Sequence, residues 1–167
     1  MEKSYTDITK RFKKIVLSAS VKSRNYVKVG DEIFKVNPCN EKVIFNPSKN
    51  EINIAIWLKN TLGGKIFLNP KVLKPHNKKT SDYMYRNRRW ELKTLGPKTK
   101  SKFAVNNRIF KARGQANNFI IDISTSSLSF KKGLEQLNFV YNNPDLKWVD
   151  KIILKKNTQY IVVKRKK

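Results

Sequence analysis

Residues 119–123 read Phe-Ile-Ile-Asp-Ile. A run of that length with one polar member and no alternation describes a strand buried on both faces. Such a strand needs cover on each side, and helical patterns flank it in sequence. Before it, Val105, Ile109, Ala112 and Ala116 repeat at helical spacing, which predicts a helix from Ala104 to Ala116. After it, Ser127 or Ser129 is placed to cap a helix that Asn142-Asn143-Pro144 stops near Tyr141. The clearest helix lies upstream: Ser48 or Asn50 caps it, Ile52, Ala55, Ile56, Lys59 and Leu62 follow a 3.6-residue period, and Gly63-Gly64 ends it.

Strand signals fill the intervals. Lys65 to Leu68 is one strand. Asp82 to Tyr85 and Arg89 to Lys93 form a pair around Arg86-Asn87-Arg88. Val149 to Leu154 and Tyr160 to Val163 close the chain before the basic tail Lys164 to Lys167. Residues 69–81 and 98–102 read as loops. In the first 47 residues, Thr6 or Asp7 caps a short helix carrying Phe12, Ile15, Val16 and Ala19. Tyr26–Val29 and Ile33–Val36 flank a Gly30-Asp31-Glu32 turn as a hairpin, and residues 43–45 add a strand. Strands separated by helices predict an α+β fold, a mixed β-sheet flanked by helices. The expected organisation is an N-terminal helix and β-hairpin extension over residues 1–47 and one main domain over 48–167.

Charge selects the partner. Lys and Arg number 37 against 12 Asp and Glu, a formal net charge of +25 over 167 residues. Self-repulsion on that scale destabilises a compact state and is tolerated when the working partner is negative. Nucleic acid, with its dense phosphates and releasable counterions, fits best; an anionic membrane surface is the competitor. Nine Phe, six Tyr and three Trp supply a core, so the charge does not imply disorder. One cysteine, Cys39, makes no disulfide framework, and with one histidine, His76, a zinc site is not expected. No apolar stretch approaches the ~18 residues of a membrane span, and no signal peptide is read, so the chain is expected to be soluble.

Acids are scarce where the basic residues crowd. From Lys71 to Arg113 there are fourteen Lys and Arg and two acids, Asp82 and Glu91. A phosphate-binding segment gains nothing from a carboxylate unless the carboxylate does chemistry. One use is to hold Mg²⁺ against a scissile phosphate. Lys93, two residues after Glu91 on the same strand face, would then offset developing negative charge. For an isolated Glu-x-Lys the commoner explanation is a cross-strand ion pair. Asp122, in its apolar strand, is expected to be paired with a Lys or Arg. Trp90 reads as a core anchor.

The helix beginning with Glu51, the acid Asp82 at a strand start, and Glu91-x-Lys93 on the next strand are similar to the core of PD-(D/E)XK nucleases. That resemblance implies Glu51, Asp82 and Glu91 as metal ligands and Lys93 as the charge-stabilising group. Thr80-Ser81-Asp82 stands where that family often has Pro-Asp. A second resemblance runs from Glu51 to the C-terminus, through Gly63-Gly64, Thr80 to Tyr83, Trp90-Glu91-Leu92-Lys93 and Arg113 to Ile123. It looks like the C-terminal toxin domains of CdiA-type contact-dependent inhibition proteins. It also looks like related phage and mobile-element nuclease domains, some classed with barnase, EndoU, colicin and RelE.

This resemblance implies a nuclease-like core in the order helix, strand, strand pair, helix, strand. It also implies a ribonuclease attacking tRNA, a paired immunity protein, and action in the bacterial cytoplasm after delivery from outside. The barnase- or RelE-like version needs no metal: Glu91 is the base, and Lys93, Arg113 and Gln115 hold the phosphate. Asp82 belongs to the catalytic set, while Lys98, Lys100, Lys102, Arg108 and His76 are candidate substrate contacts. A DNA nuclease of PD-(D/E)XK type, a non-catalytic nucleic-acid binder, and a decoy that blocks a host enzyme are the alternatives.

Overall fold

The computed structural model describes residues 3–13, 18–37, 41–99 and 101–166. The elements are β1 (Tyr5–Asp7), α1 (Thr9–Lys13), β2 (Ser20–Ser23), β3 (Tyr26–Val29), β4 (Glu32–Lys35), β5 (Val43–Ile44), α2 (Lys49–Leu62), β6 (Lys65–Leu68), β7 (Lys71–Val72), β8 (Tyr83–Tyr85) and β9 (Arg88–Thr94). Then come α3 (Ala104–Lys111), β10 (Asn118–Asp122), α4 (Phe130–Asn142), a 3-10 turn (Pro144–Leu146), β11 (Lys151–Lys156) and β12 (Gln159–Arg165). The fold is α+β with parallel and antiparallel strand pairs, as expected. The chain divides into two compact units. One comprises Met1–Lys14, Glu91–Arg113 and Asn117–Lys167; the other comprises Ile15–Trp90 and Gly114–Ala116.

In the first unit the hydrogen-bonded order is β1-β12-β11-β10, followed by the end of β9. All five residues of β10 are buried, and β10 pairs in parallel with β11 in the register Phe119↔Ile152. A parallel pair needs a long crossover, and α4 supplies it. Ser129 caps α4, its side chain accepting from the Lys132 N–H. Gly133 lets α4 approach the sheet: a Cβ there would lie 2.9 Å from Ile123 Cδ1 and 3.0 Å from Leu154 Cδ2. The core joins Phe119, Ile121, Ile152 and Leu154 from strands to Val105, Ile109, Leu137 and Val140 from helices. Each such side chain contributes about 1.5–3 kcal/mol on burial. Phe103, at the N-cap of α3, has no side-chain acceptor, and Gln136 of α4 fills the gap by accepting from the Val105 N–H at 2.9 Å.

In the second unit β6 lies between β2 and β8, and β8 lies between β6 and β9. The helix α2 starts with a capping box: the Glu51 N–H donates to Ser48 Oγ and the Ser48 N–H to Glu51 Oε2. Its buried face is Ile54, Ala55, Leu58 and Leu62. The sheet answers with Ile66, Leu68, Tyr83 and Tyr85, also buried. The Tyr83 hydroxyl donates to the Glu51 carbonyl and the Tyr85 hydroxyl to the Gly63 carbonyl.

Several expectations are corrected. Ile52 and Ile56 are exposed, because the buried stripe is centred on Ala55 and Leu58. The first helix is shorter than its pattern: Thr6 and Asp7 lie in β1, Ala19 is outside any element, and Ile15 and Val16 fall outside the described residues. The helix after Gly96-Pro97 ends at Lys111, and residues 112–115 form turns. The 69–81 segment contains β7, which pairs with β5. Lys164 and Arg165 belong to β12 rather than to a free tail, and Lys167 falls outside the described residues.

Candidate active site

The phase of β9 is set by a tight turn. Arg86 and Asn87 carry φ of 49° and 57°, the left-handed geometry that a two-residue hairpin turn demands at both positions. Tyr83 then faces Trp90 in register. The Trp90 indole N–H donates to the Tyr85 carbonyl at 3.1 Å, so Trp90 is a buried anchor and not a surface for stacking bases. Tyr83 and Tyr85 are likewise fully buried. Alternation along the strand sends Glu91 and Lys93 to the face opposite Trp90 and Leu92.

Glu91 is 3% exposed. Its Oε1 lies 2.7 Å from Lys93 Nζ, and the Lys93 side chain keeps 22% of its surface. Burying a carboxylate is costly unless it is paired, and Lys93 provides the pairing within the strand itself. The ammonium is the accessible end of the pair.

The other expected residues take different environments. Asp82 is half-buried immediately before β8, and its backbone carbonyl accepts from the Asn69 N–H at 2.9 Å. Gln115 is half-buried in the turn after α3, and Arg113 is exposed there. Lys98, Lys102 and Arg108 are exposed, Lys102 lying 5.2 Å from the Phe103 ring centroid. Lys100 lies outside the described residues. His76 is exposed in the segment after β7.

Glu51 is occupied twice: Oε2 by the N-cap of its own helix and Oε1 by Lys71 Nζ at 3.0 Å. Among the described residues no group of three or more His, Cys, Asp or Glu side chains is placed to hold a metal ion. Glu51, Asp82 and Glu91 therefore form no such group as their side chains stand.

Asp122 pairs with Lys155 at 3.5 Å, and Ser124 ties the two together, its Oγ lying 2.5 Å from Asp122 Oδ1 and 2.8 Å from Lys155 Nζ. This network, which the Asn157 N–H joins at Ser124 Oγ, holds the end of β10 against β11. Arg165 is also engaged structurally. Its guanidinium donates to the carbonyls of Tyr141, Leu146 and Val149, which removes it from the basic tail expected to meet phosphate. The sequence reading passed over Arg24 and Tyr26, which line a concavity in the second unit. Their signal is a basic–aromatic pair, Arg24 and Tyr26, at the start of the hairpin strand Tyr26–Val29.

Residues 78–160 match the family described as the contact-dependent growth inhibition CdiA C-terminal domain. Among solved structures, the chain resembles one in a CdiA-CT/CdiI toxin and immunity complex from Burkholderia pseudomallei. The TM-score is 0.54 at 20% identity, covering 86% of this chain and 98% of that one. No curated protein matches. Among the described residues no helix is long and apolar enough to cross a membrane.

Proposed function

We propose that this chain, whose residues 78–160 match the CdiA C-terminal domain family of contact-dependent growth inhibition, is a growth-inhibition toxin that acts by cutting nucleic acid, with tRNA the preferred substrate. The observation that carries the reading is the Glu91–Lys93 pair, a buried carboxylate held at 2.7 Å by an accessible ammonium, in a chain of net charge +25. The charge accounts for binding; the pair accounts for cleavage.

In this mechanism the scissile phosphate draws Lys93 away from Glu91. The Glu91 carboxylate accepts the proton of the RNA 2′-hydroxyl, and the 2′-oxygen attacks phosphorus. Lys93 offsets the charge gathering on the non-bridging oxygens. The P–O5′ bond breaks, the 5′-oxygen takes a proton from solvent, and a 2′,3′-cyclic phosphate remains. Arg113, Lys98, Lys102 and Arg108 supply exposed cations for the flanking phosphates, and Gln115 is assigned a hydrogen bond to the substrate. Two partners follow: the RNA, and an immunity protein that protects the producing cell, for which the likeness in fold to a chain of a toxin and immunity complex is the support. Delivery from outside into the target-cell cytoplasm is part of the same proposal.

Total tRNA and duplex DNA incubated side by side, each with EDTA and with Mg²⁺, test this. Cleavage of tRNA in both arms is expected. Cleavage of duplex DNA alone, or of tRNA only with Mg²⁺, contradicts the mechanism. Binding without any cleavage removes the enzyme.

A further inference from the structure

One sheet face of the second unit is packed and the other is open. Ile66, Leu68, Tyr83 and Tyr85 point toward α2 and are buried. The residues between them point the other way. Lys22 pairs with Phe67, Phe67 with Met84, and Met84 with Arg89. Register partners leave a sheet on the same side, so one row across four strands reads cation, aromatic, thioether, cation. Phe67 and Met84 are only partly covered.

Beside this row lies a concavity of about 550 Å³ lined by Arg24, Tyr26, Phe67 and Met84, with Asn25 and Asn87 at its edge. That volume is within the ~300–1,000 Å³ range of small-ligand pockets. A second concavity, of about 210 Å³, shares Arg24, Tyr26 and Met84 and adds Lys28 and Arg89. Among the described residues none of those lining either is acidic. Tyr26 is 44% exposed, and the Arg24 guanidinium lies 4.5 Å from its ring centroid. Arg24 is itself fixed by its backbone N–H to Leu68 and by Nη1 to Asn69 Oδ1.

We propose that this open face is a subsite for an unpaired nucleotide, deepening the nucleic-acid-cleaving reading on which it rests. The base stacks on Tyr26 and lies over Phe67 and Met84, because any base offers a π-face to an aromatic platform. Lys28 and Arg89 meet the neighbouring phosphates. Asn25 and Asn87 present donors and acceptors to the base edge, which lets the site discriminate among bases. A duplex keeps its bases stacked inside and is excluded, so the subsite selects loops and single strands.

The test uses the full chain carrying Glu91→Gln to limit cleavage, with fluorescence anisotropy as readout. The probes are a short labelled single strand in ribo and deoxyribo forms, the matching duplexes, and inorganic polyphosphate as competitor. Adding Tyr26→Ala should weaken single-strand binding about tenfold or more, while Tyr26→Phe retains it and duplex binding is unchanged. Loss with either sugar supports the subsite. Unchanged single-strand binding overturns it, as does an equal loss for single strand and duplex, or equal displacement of both by polyphosphate. Should Tyr26→Ala fail to fold by circular dichroism, photocrosslinking of a 4-thiouridine strand to the Glu91→Gln chain decides instead. Adducts on β3, β6 or β8 support the subsite, and adducts confined elsewhere overturn it. Cleavage of tRNA by the chain with Glu91 intact is scored separately. Tyr26-dependent binding without cleavage removes the nuclease and keeps the subsite; cleavage with Tyr26-independent binding does the reverse.

Discussion

Arg165 shows what a basic residue does when it is not facing a polyanion. Its planar fork reaches three carbonyls, at 2.6 Å to Tyr141, 2.7 Å to Leu146 and 3.1 Å to Val149. The first of these is an orphan acceptor of the last turn of α4. Burial lowers the Arg165 pKa from its ordinary value, yet arginine remains charged throughout the working range. Replacing it with Ala should cost about 2–4 kcal/mol of stability. Arg165→Lys should recover less than half of that, because one ammonium cannot serve three divergent carbonyls. Urea titrations of the three proteins give the comparison.

Tyrosine burial predicts an alkaline limit. Burial is the largest cause that pushes the Tyr85 hydroxyl up to about 12 from 10.0, and Arg86 offsets it only in part. Tyr5 and Tyr141 are raised in the same direction by the same cause. A raised folded-state pKa means that the folded chain holds the proton more tightly than the unfolded chain does. The stabilisation is therefore complete below pH 10.0 and is lost as pH rises through about 12. The diagnostic is Tyr85→Phe. Its stability should fall less steeply above pH 10.0 than that of the parent. Equal slopes would count against the assignment.

At the scale of elements, the local signals were sufficient where the cause is local. Ser48 and Ser129 are the N-caps of α2 and α4, and both were legible as a serine ahead of an apolar period. Removing the α4 cap with Ser129→Ala should cost about 1 kcal/mol, read as a lowered denaturation midpoint with unchanged cooperativity. Elements made by distant partners were not legible. Tyr5–Asp7 is a strand only because it lies against β12, with Tyr5 opposite Arg165; from its own residues Asp7 reads as a helix cap. It does accept from the Thr9 N–H at 2.8 Å, so the capping chemistry was real and the strand before it invisible. Ser20–Ser23 pairs in parallel with Lys65–Leu68, a contact no window of sequence contains. The two-residue β7 is defined wholly by β5.

The candidate site divides along the same line. The Glu-x-Lys spacing and its phase opposite Trp90 follow from strand alternation, so they could be read. The depth of Glu91 could not, because it depends on what packs around β9. Asp122 was readable as a paired carboxylate; that Ser124 completes the pair with Lys155 was not. Glu51 looked like a ligand by position, whereas its capping box with Ser48 and its bond to Lys71 come from local and tertiary geometry together. The open face with Tyr26 depends on register across four strands, and only the pairing reveals it.

Taken whole, the molecule joins a surplus of 25 positive charges to the Glu91–Lys93 ion pair on β9. Under the proposed function this charge supplies the binding to phosphate, with affinity expected to fall steeply as salt rises. Cleavage requires more, and the account assigns it to Glu91 with Lys93. Single-turnover cleavage of tRNA by the parent, Glu91→Gln and Lys93→Ala, at protein concentrations that saturate binding, tests that assignment most directly. Glu91→Gln is expected to bind tRNA as the parent does and to cut it about 10²- to 10⁴-fold more slowly, with Lys93→Ala comparably impaired. Cleavage by Glu91→Gln at the parental rate would contradict it.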